Sequence, residues 1–325
     1  MRKLEEDNLE LEFYPPPDKR QRPPIPVVAS TATRRSRIGV MPDKYIAEMI
    51  RLVSDENIKR WVCDLCAFPT RHSKSAYIDR VSEWVADRFR EVGYADVIMH
   101  EYARQGYQLK NVVCTKQGSG NTGRSIILCG HYDSIGTGEM APGADDNATG
   151  VAVLIELARI IAKATVEDTI QFVVFSGEEQ GLWGSTAYAQ YVKENNINLY
   201  RLINLDMLGY PDENRSILIE RDMGNAVPDN DQPSSEFAEL MAQMAADFTD
   251  LPVKFGPIFS SDYMPFEARG YVAVGAFEGG ENPNYHTSND APDTLDYKYV
   301  AEIARVVLAT LLYESAQTND KSKCR

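Results

Sequence analysis

Cysteine is scarce and odd in number, five in 325 residues, which excludes a small disulfide-stapled scaffold. Positive charge is short too. Lys and Arg number 34 against 48 Asp and Glu, a formal net charge of −14 that argues against holding nucleic-acid phosphates. No stretch approaches the roughly 18–20 apolar residues of a membrane-spanning helix. Neither a nucleic-acid nor a membrane partner is therefore expected. Histidine is rarer still, at four, so the place of each is worth following. What is present is a hydrophobic content of 43% with 10% aromatics, enough to bury a substantial core.

Residues 1–40 differ from the rest. Pro15, Pro16, Pro17, Pro23, Pro24 and Pro26 lie among acidic residues from Glu5 to Glu12 and basic ones from Lys19 to Arg22 and Arg34 to Arg37. No apolar period runs through them, so a disordered tail is expected, with a cleaved pro-segment as the alternative. A secretory signal needs an apolar run of about 7–15 residues after its basic start. Arg2 and Lys3 are followed instead by LEEDNLELE, so a cytoplasmic location is expected, secretion being the alternative. Residues 318–325 read as a second tail, and 41–317 as a single domain.

From residue 41 onward helical and extended patterns alternate. Residues 57–67 and 76–92 read as helices, the second with Val81, Trp84, Val85 and Phe89 on one face. Residues 96–102 and 109–115 read as strands, and the runs SIILCG (125–130) and TIQFVVF (169–175) as strands buried on both faces. Helices are expected at 147–162, 182–194 and 297–314, and further strands at 202–208, 217–220 and 271–277. Such alternation predicts an α/β fold: a mixed, largely parallel central sheet with helices on both faces.

Acids and histidines collect where these strands end, the usual place for a site in an open α/β sheet. His131-Tyr132-Asp133 follows SIILCG, Gly143-Ala144-Asp145-Asp146-Asn147 opens the next helix, and Ser176-Gly177-Glu178-Glu179 follows TIQFVVF. Asp206 closes the strand RLINLDML, and Tyr285-His286-Thr287 precedes the last helix. Zinc accepts imidazole nitrogen and carboxylate oxygen, and a catalytic site keeps a position open for water. Two histidines, two terminal carboxylates and a bridging one would give each of two ions three protein ligands. One carboxylate is then spare to move a proton, which points to hydrolysis.

The segments GHYDS, GADDNATG, FSGEEQGLWGS, NLDMLGY and YHTSNDAPDTLD resemble the co-catalytic zinc aminopeptidases of metallopeptidase family twenty-eight, which also contains glutamate carboxypeptidases. The likeness runs from about residue 60 to 315. It implies two zinc ions per chain, one held by His131 and Asp206, the other by Glu179 and His286, with Asp146 between them. Glu178 would be the general base. Asp133 would accept the second ring N–H of His131 and fix its tautomer. The substrates implied are peptides with a free N-terminus. One departure stands out: many relatives read Ser-Asp-His where this chain has Ser261-Asp262-Tyr263.

Each piece has a plainer reading when taken alone. Glu178-Glu179 would be a solvated loop, His131 a hydrogen-bonded structural histidine, and Asp145 or Asp146 a helix N-cap; Asp145 keeps that role here. Asp206, in an apolar strand, is harder to explain, because a buried unpaired carboxylate is costly. His100-Glu101 begins a zincin-like motif, but Arg104 stands at its second His position. Cys63 and Cys66 read as buried thiols, and Cys129 as core. The rival functions are a carboxypeptidase of the same family, with Arg215, Arg221 and Arg269 as candidate carboxylate grips, and a non-catalytic binding module. Loops around Met207, Tyr263 and Phe277 are expected to shape the substrate pocket.

Overall fold

Helical spacing of apolar residues organises the first part of the chain. The computed structural model describes residues 18–19, 43–224 and 227–316. Three helices come first, α1 (Asp43–Ile50), α2 (Asp55–Cys66) and α3 (Ile78–Glu91). Ser54 caps α2 by accepting the Asn57 main-chain N–H, and Asp55 and Glu56 put negative charge at the positive end of the helix dipole. Ile58, Trp61, Val62 and Leu65 form its buried stripe. Cys63 falls off that stripe and is exposed, contrary to expectation. Cys66 is partly buried, its Sγ on the Pro142 carbonyl.

The hairpin β1 (Val97–Arg104) and β2 (Tyr107–Lys116) follows. Two crossovers come next: β3 (Ser125–His131), α4 (Gly150–Ile161), β4 (Thr169–Phe175), α5 (Trp183–Glu194) and β5 (Leu199–Leu205). The last third holds β6 (Ile217–Arg221), α6 (Asp231–Phe248), β7 (Val253–Pro257), α7 (Met264–Glu267), β8 (Ala273–Glu278) and α8 (Tyr297–Ala316). Across the sheet the strands run β1-β2-β4-β3-β5-β8-β6-β7. The central β4, β3, β5 and β8 are mutually parallel, while β1–β2, β2–β4 and β6–β8 pair antiparallel. This is the mixed sheet that the patterns predict.

Period-two alternation splits the core between the two faces. Ile126 and Leu128 of β3 join the larger cluster, with Val62, Phe89, Leu154, Met241 and Leu308 from the helices. Ile127 and Cys129 turn the other way, toward Tyr188 and Val192 of α5 and Phe266 of α7. Helix α4 thus covers one face and α5 the opposite one. Their strands β4 and β5 lie on either side of β3, which opens a crevice at the carboxyl ends of all three.

Two elements carry no readable pattern. In α6 the buried face mixes Phe237, Met241 and Met244 with Ala238, Ala242 and Ala245, so its apolar signal is diluted. Pro233 sits in its first turn, where a missing N–H is tolerated. Strand β7 is a five-residue edge ending in Pro257. No described helix is long and apolar enough to cross a membrane. The segments expected as disordered tails, 1–40 and 318–325, lie outside the described residues except for Asp18 and Lys19. Lys19 is buried, so the tail expectation fails at that point, because carboxylates of the folded core surround its ammonium.

Candidate metal centre

Strand register brings the acids and histidines together. His131 pairs with Phe175 at the ends of β3 and β4, so the turn Ser176-Gly177-Glu178-Glu179 begins beside His131. On the other side Cys129 pairs with Asn204, which brings Asp206 out of the sheet next to His131 two residues later. Asp146 lies in a wide turn, Ala144–Thr149, that leads into α4, and the Asp146–Asn147 peptide bond is cis. Gly143 opens that turn at φ +53°, where a Cβ would stand 2.4 Å from the Asp146 carbonyl oxygen and 2.6 Å from Ser134 Cβ. Only glycine fits there. His286 comes from the loop after β8, itself at φ 56°, a left-handed conformation that a non-glycine side chain keeps only under tertiary constraint.

Asp146 stands at the middle of the group. Its Oδ1 lies 3.3 Å from His131 Nε2, and its Oδ2 lies 3.1 Å from His286 Nε2. Asp206 Oδ1 is 3.5 Å from His131 Nε2, and Glu179 Oε2 is 2.9 Å from His286 Nε2. Glu178 Oε2 is 3.7 Å from His131 Nε2. The ligand atoms of His131, Asp146 and Glu179 lie within 4.8 Å of one another, as do those of His131, Glu178 and Asp206. Distance alone therefore does not separate Glu178 from the other acids.

Six buried atoms here make no hydrogen bond to described residues: Asp146 Oδ2, both oxygens of Glu178, both of Glu179, and His286 Nε2. An unsatisfied buried polar atom costs roughly 1–3 kcal/mol, and more when charged. Imidazole nitrogens and carboxylate oxygens in this state are the donor set that a divalent cation such as zinc satisfies. The residues fit that group.

Burial is the largest influence on each acid. It lifts Glu178 well above the usual carboxyl range, against the pull of Lys19 and His131. Glu179 is raised as well, by burial and then by the Asp146 charge. Asp146 and Asp206 meet the same burial, but Lys19 and His131 outweigh it and hold both below their ordinary value. Burial works against the charged form of His286, yet Glu179 and Asp146 raise it to about 9. The two glutamates are thus pushed up and the two aspartates down, so these directions alone do not tell Glu178 from Glu179.

Several expectations need correction. The Asp133 carboxylate accepts the main-chain N–H groups of Glu178 and Glu179, at 3.2 Å each. His131 Nδ1 meets the Asp133 carbonyl at 3.2 Å, and the carboxylate only at 3.6 Å, beyond hydrogen-bond reach. Asp133 thus holds the Glu178-Glu179 turn directly and the histidine through its backbone. Asp145 is no helix cap: its carboxylate accepts from Gly209 N and Asn282 Nδ2, because the wide turn points it away from α4. Asn147 Oδ1 accepts the Gly150 N–H instead. Tyr263 and Phe277 are wholly buried and pack edge to face, with the Tyr263 hydroxyl bonded to Phe259 N and to Glu220, so neither lines an opening. The candidate carboxylate grips are engaged elsewhere: Arg215 with Asp296 and Glu302, Arg221 with Ser235, and Arg269 with the Pro265 carbonyl. His100 lies on β1, in keeping with the strand expected at 96–102, and stands edge-on against Tyr188 and Tyr191.

Sequence reasoning also passed over four supporting residues. Wholly buried Arg71 donates to the carbonyls of Tyr132 (2.7 Å), Gly143 (2.9 Å) and Pro142, tying the His131 loop to the Asp146 turn. Asp290 accepts the N–H groups of Asp145 and Asp146. Ser261 Oγ donates to Asp206 Oδ2 at 2.6 Å. Lys19 Nζ lies 2.9 Å from Asp146 Oδ1. Asp290 and Ser261 fall inside segments already singled out. Nothing in the sequence around Arg71 or Lys19 marks either one.

The model of Peptidase family M28 matches residues 111–311. A relative from Leptosphaeria maculans named "Probable zinc metalloprotease" is 30% identical over 330 residues, covering 83% of this chain and 76% of its own. Among solved structures, the Legionella pneumophila LapA aminopeptidase superposes with a TM-score of 0.73 at 19% identity, over 88% of this chain and 78% of that one. An aminopeptidase from Aneurinibacillus sp. strain AM-1 gives 0.68 at 16%, over 83% and 96%. At such identities the likeness concerns the fold.

Proposed function

This chain belongs to peptidase family M28 and is a zinc metallopeptidase, and from that premise we propose that it is an aminopeptidase working with two zinc ions. His131 and Asp206 would hold one ion, Glu179 and His286 the other, and Asp146 both. The observation that carries this reading is Asp146, a buried carboxylate with one oxygen toward each histidine. Bound there, zinc supplies Lewis acidity toward the scissile carbonyl and lowers the pKa of water.

The chain's own residues do the rest. Among the described residues Glu178 has no hydrogen bond on either oxygen, and burial raises its proton affinity, the properties asked of a general base. It takes a proton from the water that adds to the carbonyl carbon, and delivers it to the amine as the C–N bond breaks. Asp133 holds the Glu178 and Glu179 backbone, so the proton carrier and its neighbouring ligand keep fixed positions. The choice of the N-terminal end rests on the arginines: the three that could grip a substrate carboxylate are bonded within the fold.

The test compares leucine p-nitroanilide with an N-acetylated dipeptide, alongside zinc analysis. Chelator-sensitive hydrolysis of the first and two zinc ions per chain are expected. Preference for the blocked dipeptide would overturn the aminopeptidase reading in favour of a carboxypeptidase.

A further inference from the structure

Lys19 comes from a stretch with no apolar pattern, yet it is only 5% exposed. Its Nζ lies 2.9 Å from Asp146 Oδ1 and 2.8 Å from each oxygen of Asp206, with His131 Nε2 at 3.5 Å and Glu178 Oε1 at 3.8 Å. Its main-chain N–H donates to the Tyr285 hydroxyl at 3.2 Å. A buried ammonium is costly unless carboxylates meet it, and here two do so directly. The position is the one enclosed by His131, Asp206 and one oxygen of Asp146. The other half of the centre is different. Asp146 Oδ2, Glu179 and His286 Nε2 make no hydrogen bond with it.

We propose that Lys19 is an internal competitor for one of the two zinc positions. In the metal-poor chain the Lys19 ammonium would occupy the Asp206 half of the centre, beside Glu178. Zinc entering that half would expel it. The inference rests on the two-ion reading above. Physically, an ammonium brings one charge and three hydrogen-bond donors to a site that offers two carboxylates and an imidazole. A dication neutralises the same carboxylates and also takes the imidazole nitrogen as a ligand. Lys19 holds its place only through being tethered, which gives it a high local concentration. Its docking lowers the apparent affinity of the covered position by the fraction of chains that remain open. The Glu179–His286 position shares only Asp146 with Lys19 and is not itself occupied by the ammonium, so the two ions should load in separate steps.

The experiment uses the full chain stripped of metal, with lysine acetylation read by mass spectrometry and zinc binding read by titration. Lys44, whose side chain is 85% exposed, serves as the internal standard. Without metal, Lys19 should acetylate far more slowly than Lys44, and two equivalents of zinc should bring the rates together. In Lys19→Ala the weaker zinc should bind at least about fivefold tighter, with the stronger one unchanged. Equal labelling of Lys19 and Lys44 in the metal-free chain would overturn the inference, as would superimposable titrations of wild type and variant. A Lys19→Ala chain that takes up fewer than two zinc ions overturns the two-ion reading, and this inference with it.

Discussion

Glu178 and Glu179 are adjacent, both buried and, among the described residues, both without hydrogen bonds on their oxygens, yet the mechanism gives them different work. Replacing each by glutamine separates the roles. In Glu178→Gln the shape is kept, and the backbone stays anchored through its N–H to Asp133. Only the proton acceptor is lost. A positioned general base contributes about 10²- to 10⁴-fold, so kcat/KM should fall by that much, or ~3–5 kcal/mol of barrier. Zinc content should stay at the wild-type value, since the five proposed ligands remain. The metal-free variant should melt no lower than wild type, because burial already disfavours the charged carboxyl that the amide replaces. Glu179→Gln removes the oxygen 2.9 Å from His286 Nε2 and should lose about one zinc per chain together with activity. The assays are leucine p-nitroanilide kinetics and elemental zinc analysis after gel filtration. The reasoning is refuted if Glu178→Gln keeps more than a tenth of kcat/KM. It is equally refuted if Glu178→Gln sheds zinc while Glu179→Gln retains it.

Arg71→Met leaves three loop carbonyls without their donor; at ~1.5 kcal/mol per charged hydrogen bond the loss should be about 4.5 kcal/mol in a urea melt. A loss under about 1 kcal/mol would show that the clamp is not structural. Ser261→Ala removes the 2.6 Å hydrogen bond on Asp206 and should weaken zinc binding by about 10- to 100-fold, read by chelator competition. Burial, then the charge of Glu267 beside it, raises Asp222 from 3.8 to about 8. A carboxyl raised in the folded state stabilises it when protonated, so stability falls as pH climbs from about 4 to about 8. Asp222→Asn should remove that part of the slope, its advantage in Tm widening from pH 5 to pH 8; parallel Tm curves for the two proteins would count against it.

What was legible in the sequence followed from strand chemistry. SIILCG and TIQFVVF are apolar enough to be buried on both faces, and polar residues directly after such runs stand at the carboxyl ends of the strands, where a crevice can form. Glu178, Glu179, His131 and Asp206 could therefore be grouped before any coordinates. Helix α6 was not legible, because alanines carry much of its buried face and read as neutral in an apolar count. The buried Tyr263 shows a different limit. Its place beside Asp262 invites a role in the pocket, but a side chain that long reaches past the crevice and bonds Phe259 and Glu220 beneath it.

Contacts between loops were the least legible, for a geometric reason. A strand tells its neighbours' register, and a helix tells its buried face, but a loop residue such as Arg71 gives no period to read. Its guanidinium crosses from the segment between α2 and α3 to carbonyls 61 and 71 positions further on. The same holds for Asp290, whose carboxylate is spent on backbone N–H groups 145 and 144 residues earlier. Arg71 acts on main-chain atoms, and Asp290 does so apart from the Asn282 amide that it also accepts, so little in the way of a partner residue type announces them. The ligand-type side chains could be found because their chemistry is rare. The residues that hold them in place use chemistry common to the whole backbone, and only coordinates reveal which backbone they hold.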